Sequence, residues 1–186
     1  MKVLCDEKEY RGPGAVLALG MFDGVHLGHR ALILRAAALA KELGGDAVVC
    51  TFDRHPLSVL CPGSEPEALT TPEERLRIFG ELGADQALVK PFTRELASCD
   101  PTEFLRKLAS VTRAKAIVCG ESYTFGKNGA GDAALMRKMA AELGCRVEIV
   151  PSVRDGEEVV SSTLIRSLLA KGDRERAEYL LGKCQG

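Results

Sequence analysis

Short apolar runs alternate along this chain with longer segments that repeat at helical spacing, the pattern of β-α units wound around a parallel sheet. Five runs have strand length: Val16 to Leu19, Ala47 to Phe52, Ala87 to Val89, Ala116 to Cys119 and Val147 to Val150. Between the first two, Leu32, Ala36, Leu39 and Leu43 recur at i, i+4, i+7 and i+11, and Gly44-Gly45 supplies a stop, so a helix is predicted there. Thr71-Pro72-Glu73-Glu74 and Asp100-Pro101-Thr102-Glu103 each place a capping residue, then proline at the first helical position, then glutamate three after the cap. Leu135, Met139 and Leu143 mark another helix closed by Gly144. Further on, Asp155-Gly156 between Val153 and Val159-Val160 predicts a hairpin. Ile165, Leu168 and Leu169 open a short helix, and Ala177, Leu180 and Leu181 belong to a last one. From Asp53 to Thr70 three prolines occur and neither period holds, which reads as a long ordered loop or small lobe beside the sheet.

Length and charge narrow the class. The 186 residues suffice for one α/β domain over residues 1–186, and apolar residues at 46% against charged ones at 27% fit a soluble globular chain. No apolar run approaches the ~18 residues of a membrane span. Met1-Lys2-Val3-Leu4-Cys5-Asp6-Glu7 lacks the apolar stretch of a signal peptide, so the expected compartment is the cytoplasm, with no membrane partner. Seven scattered cysteines without a C-x-x-C pair argue for reduced thiols. A net charge of −1 with mixed signs provides no broad basic field, which disfavours nucleic acid as a partner.

Two stretches carry chemistry. The first runs Leu19-Gly20-Met21-Phe22-Asp23-Gly24-Val25-His26-Leu27-Gly28-His29, from the end of a strand into a helix, the junction where open parallel sheets bind ligands. Gly20, Gly24 and Gly28 permit tight turns and close backbone approach, and the helix start offers unpaired N–H groups to an anion. Two of the chain's three histidines, His26 and His29, fall here three residues apart, so both imidazoles can face one spot. A phosphate site is the leading reading; a structural pair and half of a metal site stay open, although no other Cys or His has the spacing to complete a zinc tetrahedron. The second stretch is Val160-Ser161-Ser162-Thr163-Leu164-Ile165-Arg166. Its hydroxyls read equally well as an ordinary helix cap, but Arg166 lies one turn beyond Ser162, so hydroxyl, backbone N–H groups and guanidinium can converge on one phosphate. No Walker motif, G-x-S-x-G, H-E-x-x-H or strand-following G-x-G-x-x-G occurs, which removes support from ATPase, hydrolase, zinc-protease and dinucleotide-oxidoreductase readings.

His26-Leu27-Gly28-His29 resembles the H-x-G-H signature of the nucleotidyltransferase superfamily, and Ser161-Ser162-Thr163-Leu164-Ile165-Arg166 resembles its S-S-T-x-I-R partner. Gly20-Met21-Phe22-Asp23-Gly24-Val25-His26, Thr51-Phe52-Asp53-Arg54-His55-Pro56 and Gly120-Glu121-Ser122-Tyr123-Thr124-Phe125-Gly126 narrow the resemblance. They are similar to the FAD synthetase (FMN adenylyltransferase) module of bacterial bifunctional riboflavin kinase/FAD synthetases, over roughly residues 14 to 182. The resemblance implies a Rossmann-like nucleotidyltransferase fold, a mostly parallel sheet flanked by helices with a small flavin-side lobe or loop. It also implies transfer of AMP from ATP to FMN. Carried over residue by residue, it implies that His26, His29, Ser161, Ser162 and Arg166 are catalytic. Gly20, Met21, Phe22, Asp23, Gly24, Gly28, Gly120 and Thr163 join them around ATP. Phe52, His55, Pro56, Ser122, Tyr123 and Phe125 resemble the part that receives FMN, with core packing the competing reading for Phe52 and Phe125. Mg²⁺ is implied with ATP, without a residue that identifies its ligand. Met21, Arg54, Ser122 and Gly129 depart from the family's usual residues. The family's riboflavin kinase module is expected after Leu181-Gly182, where four residues remain, so a separate riboflavin kinase is the expected supplier of FMN.

Overall fold

The structure is a computed structural model that describes residues 1–183. Six strands form one all-parallel sheet: β1 (Lys2–Leu4), β2 (Ala15–Leu19), β3 (Asp46–Phe52), β4 (Gln86–Lys90), β5 (Ala116–Gly120) and β6 (Arg146–Val150). Their spatial order is β1-β4-β3-β2-β5-β6. Helices α1 (Leu27–Leu43), α2 (Leu57–Leu60), α3 (Pro72–Glu81), α4 (Arg94–Ala97), α5 (Pro101–Thr112) and α6 (Ala133–Leu143) lie between the strands. A hairpin, β7 (Arg154–Asp155) with β8 (Glu158–Val159), leads into α7 (Ser162–Ala170) and α8 (Arg174–Leu180).

The five expected strands all form, each extended by a residue or two. Strand β1 carried no signal of its own, because three residues followed by acid have no period; its register opposite Gln86, Ala87 and Leu88 makes it a strand. Every residue of β2 is buried, as a central parallel strand requires. Val16 and Ala18 pack with α1 and α3, while Ala15, Leu17 and Leu19 pack with α5 and α6, so two apolar layers sandwich the sheet.

The helix boundaries follow their caps. Thr71 and Glu74 form the reciprocal capping box of α3, and Asp100 caps α5 through the Thr102 and Glu103 N–H groups at 2.8 and 3.1 Å. Gly44 and Gly144 end α1 and α6 in the left-handed region. Helix α5 ends on Arg113 at φ 48, a stop that no glycine announces.

The chain leaves β2 toward β3 and β4 on one side and later returns to β5 and β6 on the other. The strand order therefore reverses beside β2, and the crevice beyond the carboxyl ends of β2, β3 and β5 is the natural ligand position. The Asp53–Thr70 segment, with the single turn α2, covers one side of this crevice. Helices α7 and α8 form a third apolar cluster of Val160, Ile165, Leu168, Ala177, Leu180 and Leu181, against which Leu27 and Leu69 pack. That cluster docks the C-terminal segment onto the start of α1.

Glu7, 2% exposed, accepts ion pairs from Lys90 at the end of β4 and from Lys107 on α5. Burial pushes its carboxyl up, but Lys90, a backbone N–H and Lys107 together outweigh that and hold it down at about 2. Because Lys90 is itself largely buried, Glu7→Gln is expected to cost ~3 kcal/mol or more of stability by leaving that ammonium unpaired, measured as the shift in a urea unfolding transition at pH 7.

Candidate active site

Beyond Leu19 the chain enters a compact turn with an unusual backbone. Phe22 (φ 56), Gly24 (φ 80) and Val25 (φ 39) all lie in the left-handed region. For Phe22 and the β-branched Val25 this costs on the order of 1–3 kcal/mol each, so the surroundings must hold them there. They do: Phe22 is fully buried against Phe79, at a centroid distance of 5.5 Å, and against His29 at 5.2 Å. Only glycine serves at position 24, where a Cβ would come within 2.9 Å of Leu69 in addition to the positive φ.

The two histidines come together. Their rings stack at 3.7 Å with 18° between planes. His26 is the cap of α1, and its Nδ1 accepts from the His29 backbone N–H at 3.4 Å. A neutral His26 therefore carries its proton on Nε2 as a donor. Burial lowers its pKa to about 4, and burial together with the neighbouring His26 drives His29 well below the usual histidine value. The site at neutral pH is thus a pair of uncharged imidazoles at a helix N-terminus, able to donate N–H groups to an anion.

Ser161, Ser162, Thr163 and Arg166 arrive at this turn from the other end of the chain. Ser161 Oγ caps α7 by accepting from Leu164 N at 3.2 Å, the role that a helix cap predicts for it. Thr163 is exposed in the first turn. The Ser162 hydroxyl and the Arg166 guanidinium do converge, but on Asp23: Ser162 Oγ donates to the Asp23 carbonyl at 2.9 Å, and Arg166 Nη2 pairs with the Asp23 carboxylate. Arg166 Nε also donates to the Glu67 carbonyl at 2.7 Å. Asp23 further accepts from Leu69 N at 3.0 Å, and Gly24 N donates to Thr70 Oγ1 at 3.0 Å. Asp23, 7% exposed, is thereby the knot between the β2–α1 turn, the Asp53–Thr70 segment and α7.

A cavity of about 300 Å³ opens at the carboxyl ends of β3, β4 and β5. Phe52, Pro56, Tyr123 and Phe125 line it, four of the six residues expected on the flavin side. Tyr123 and Phe125 stack at 5.7 Å, and Phe52 meets Phe92 edge-on at 5.0 Å, giving a planar aromatic group flat walls. Ser122 is exposed and outside the lining. His55 stands instead in an adjoining space of about 110 Å³, with Met21, Asp23, Asp53 and Arg75. It feels Arg166 and Asp23 directly, since burial first and the nearby Arg166 second depress its pKa. Gly20 and Gly120 sit at the ends of β2 and β5, and the space above Gly120 is open.

The sequence model of the FAD synthetase family matches residues 8–164. The chain belongs to the FAD synthetase family. It is 37% identical to a Geobacillus thermodenitrificans protein provisionally named as a bifunctional riboflavin kinase/FMN adenylyltransferase, over 91% of this chain and 90% of that one. It is 36% identical to the bifunctional riboflavin kinase/FMN adenylyltransferase of Bacillus subtilis and 33% identical to that of Escherichia coli. In both cases the match covers 91% of this chain and 54% of the relative, so the chain spans about half the length of those two proteins. A crystal structure from Streptococcus pneumoniae, described as a macrolide-efflux protein, matches with a TM-score of 0.82 and 31% identity. That match covers 97% of this chain and 61% of the other.

Within this family member, several residues of the crevice escaped sequence reasoning. Phe92 and Phe104 complete the aromatic cavity. Phe92 lies two residues past the end of β4, and the rule that ligands gather at carboxyl ends of strands would have marked it; Phe104 lies inside an amphipathic helix and carries no local mark. Asp53 sets the Phe92 position by accepting from its N–H at 2.9 Å. Leu69, Thr70 and Arg75 reach the site through tertiary contacts alone.

The buried neutral histidines make stability pH-dependent in a definite direction. The His26 pKa is depressed in the folded state, so the unfolded chain binds the extra proton first, and stability is lost as pH falls from about 6.5 toward about 4. For His26 the full effect is on the order of 3 kcal/mol. Urea midpoints measured between pH 7 and pH 4.5 should fall less steeply for His26→Gln than for the parent chain. Asp23→Asn removes the negative member of the knot while keeping its shape, which should free Arg166 and loosen the Glu67–Thr70 strap. Faster proteolytic cutting within residues 60–70, with the far-UV circular dichroism of the sheet and helices unchanged, is the expected result.

Proposed function

We propose that this chain transfers the AMP group of ATP to the phosphate of FMN, giving FAD and pyrophosphate. The observation that supports it is adjacency: the β2–α1 turn, which lends Met21 and Asp23 to the smaller space, and the aromatic cavity walled by Phe52 lie side by side at the carboxyl edge of β2 and β3. A planar ring in the aromatic cavity would direct its phosphate toward the turn, where the helix terminus, His26, His29 and Arg166 meet a triphosphate.

In the reaction an FMN phosphate oxygen forms a bond to the α-phosphorus of ATP while the bond from that phosphorus to the bridging oxygen of the leaving pyrophosphate breaks. A phosphate monoester has a second pKa near ~6, so the nucleophile is already ionised at neutral pH and no base is needed. The chain's part is alignment and donation to the charge that grows on pyrophosphate. Nδ1 of His26 is already occupied by the His29 N–H, so Nε2–H is its working end. Arg166 keeps its Asp23 pair through Nη2, which leaves Nη1 for a phosphate oxygen. Among the described residues no group of three His, Cys, Asp or Glu side chains is placed to hold a metal ion, so Mg²⁺ enters this reading as part of the substrate MgATP. Among the same residues no helix is long and apolar enough to cross a membrane. Action in the cytoplasm, on FMN supplied by a riboflavin kinase activity, is part of the same proposal.

Incubation with FMN and MgATP followed by chromatography should yield FAD, whereas riboflavin, which lacks the nucleophilic phosphate, should yield none. His29→Ala is expected to lower turnover ~100-fold or more, the loss of one oxyanion-type contact. If ATP binds but FMN gives no FAD, the chain is instead a flavin- and nucleotide-binding protein without transfer activity.

A further inference from the structure

Arg75 lies on α3, just past the flavin-side segment, and is 6% exposed. Its guanidinium spans two carbonyls: Nη1 donates to Met21 at 3.1 Å and Nη2 to Phe52 at 3.3 Å. Leu19 is in register with Cys50, so Met21 and Phe52, each two residues further, stand at the same level. At that level the β2–β3 ladder has ended, because Met21 already leads into the left-handed turn at Phe22. The fork of Arg75 thus closes a rung that backbone groups no longer close, assisted by Thr51 Oγ1, which donates to the same Met21 carbonyl at 2.9 Å.

Among the described residues no carboxylate lies within 4 Å of Arg75, and burial lowers its pKa despite the fields of Asp23 and Asp53. A buried cation without an ion pair is costly, and one carbonyl could be satisfied by a neutral donor. Two N–H groups held on one planar fork suit arginine to bridging a carbonyl at the end of β3 and one in the turn beyond β2. The two carbonyls also belong to different halves of the crevice. Met21 precedes Phe22, which packs on His29, whereas Phe52 is a wall of the aromatic cavity.

We propose that Arg75 is a positioning residue for adenylyl transfer: by holding Met21 and Phe52 on one guanidinium it fixes the nucleotide turn relative to the flavin wall and so sets the line of attack. This rests on the adenylyltransferase reading. An error of ~1 Å between independently bound reactants costs ~100-fold in rate, so the signature is loss of the chemical step with each substrate still bound.

The test uses Arg75→Lys, which keeps the charge but replaces the planar fork by a point charge, and Arg75→Met. For each, dissociation constants of FMN alone and ATP alone, the melting temperature, and the single-turnover rate of FAD formation are measured. Arg75→Lys is expected to melt near the parent chain and bind each substrate within about threefold, yet form FAD ~100-fold more slowly. An unchanged single-turnover rate would overturn the proposal. So would a rate loss matched by equal weakening of both substrates and a lowered melting temperature, which marks a merely structural arginine. Should Arg75→Met fail to fold, the lysine variant decides alone. A parent chain that makes no FAD overturns the adenylyltransferase reading before any variant is compared.

Discussion

A carboxylate that is 7% exposed needs partners, and Asp23 draws them from two distant parts of the chain at once, the Glu67–Thr70 stretch and α7. Its oxygens take the Leu69 N–H and the Arg166 guanidinium, while its carbonyl takes the Ser162 hydroxyl. These partners lie 46, 143 and 139 residues away. The β2–α1 turn and the stretch around Leu69 are irregular where they meet, with no ladder of their own to fix them, whereas Ser162 and Arg166 reach them from the first turns of α7. The shape of the crevice is therefore set by where this one buried charge can be satisfied.

Around that knot the site gathers donors while limiting formal charge. Burial keeps His26 and His29 neutral, and Asp23 offsets Arg166. Arg75 is the exception, a cation whose partners are carbonyls. A site assembled this way avoids strong self-repulsion when no anion is bound, and it still presents oriented N–H groups and a helix terminus to one that arrives. The strained turn at Phe22 to Val25 is consistent with that purpose: the backbone is held in a costly conformation by packing from Phe79 and by the Gly24–Thr70 bond, which aims the head of α1 into the crevice.

The aromatic cavity depends on a different constraint. Its aromatic rings come from the ends of β3, β4 and β5 and from α5, so a parallel sheet with aligned carboxyl ends is what puts them side by side. Asp53 anchors Phe92, and Phe104 and Phe125 pack at 5.9 Å as both core and wall. Core packing and a place in the cavity wall are compatible for Phe125, which is 7% exposed and lines the cavity.

Local sequence sufficed for the class of fold and for the position of the turn between β2 and α1. Strand runs, the α1 stripe, the caps at Thr71 and Asp100, and the glycine-punctuated turn with its two histidines are interactions among near neighbours, and their periods and types are legible residue by residue. Edge strand β1, the arginine stop of α5, the partner of Arg166, the fork of Arg75 and the place of His55 were decided by tertiary structure. Each depends on which distant group occupies a given few ångströms of space: a carboxylate to be neutralised, a carbonyl left open where a ladder ends, a strand edge to be paired. Those demands arise only once the sheet is assembled, and no local period encodes them.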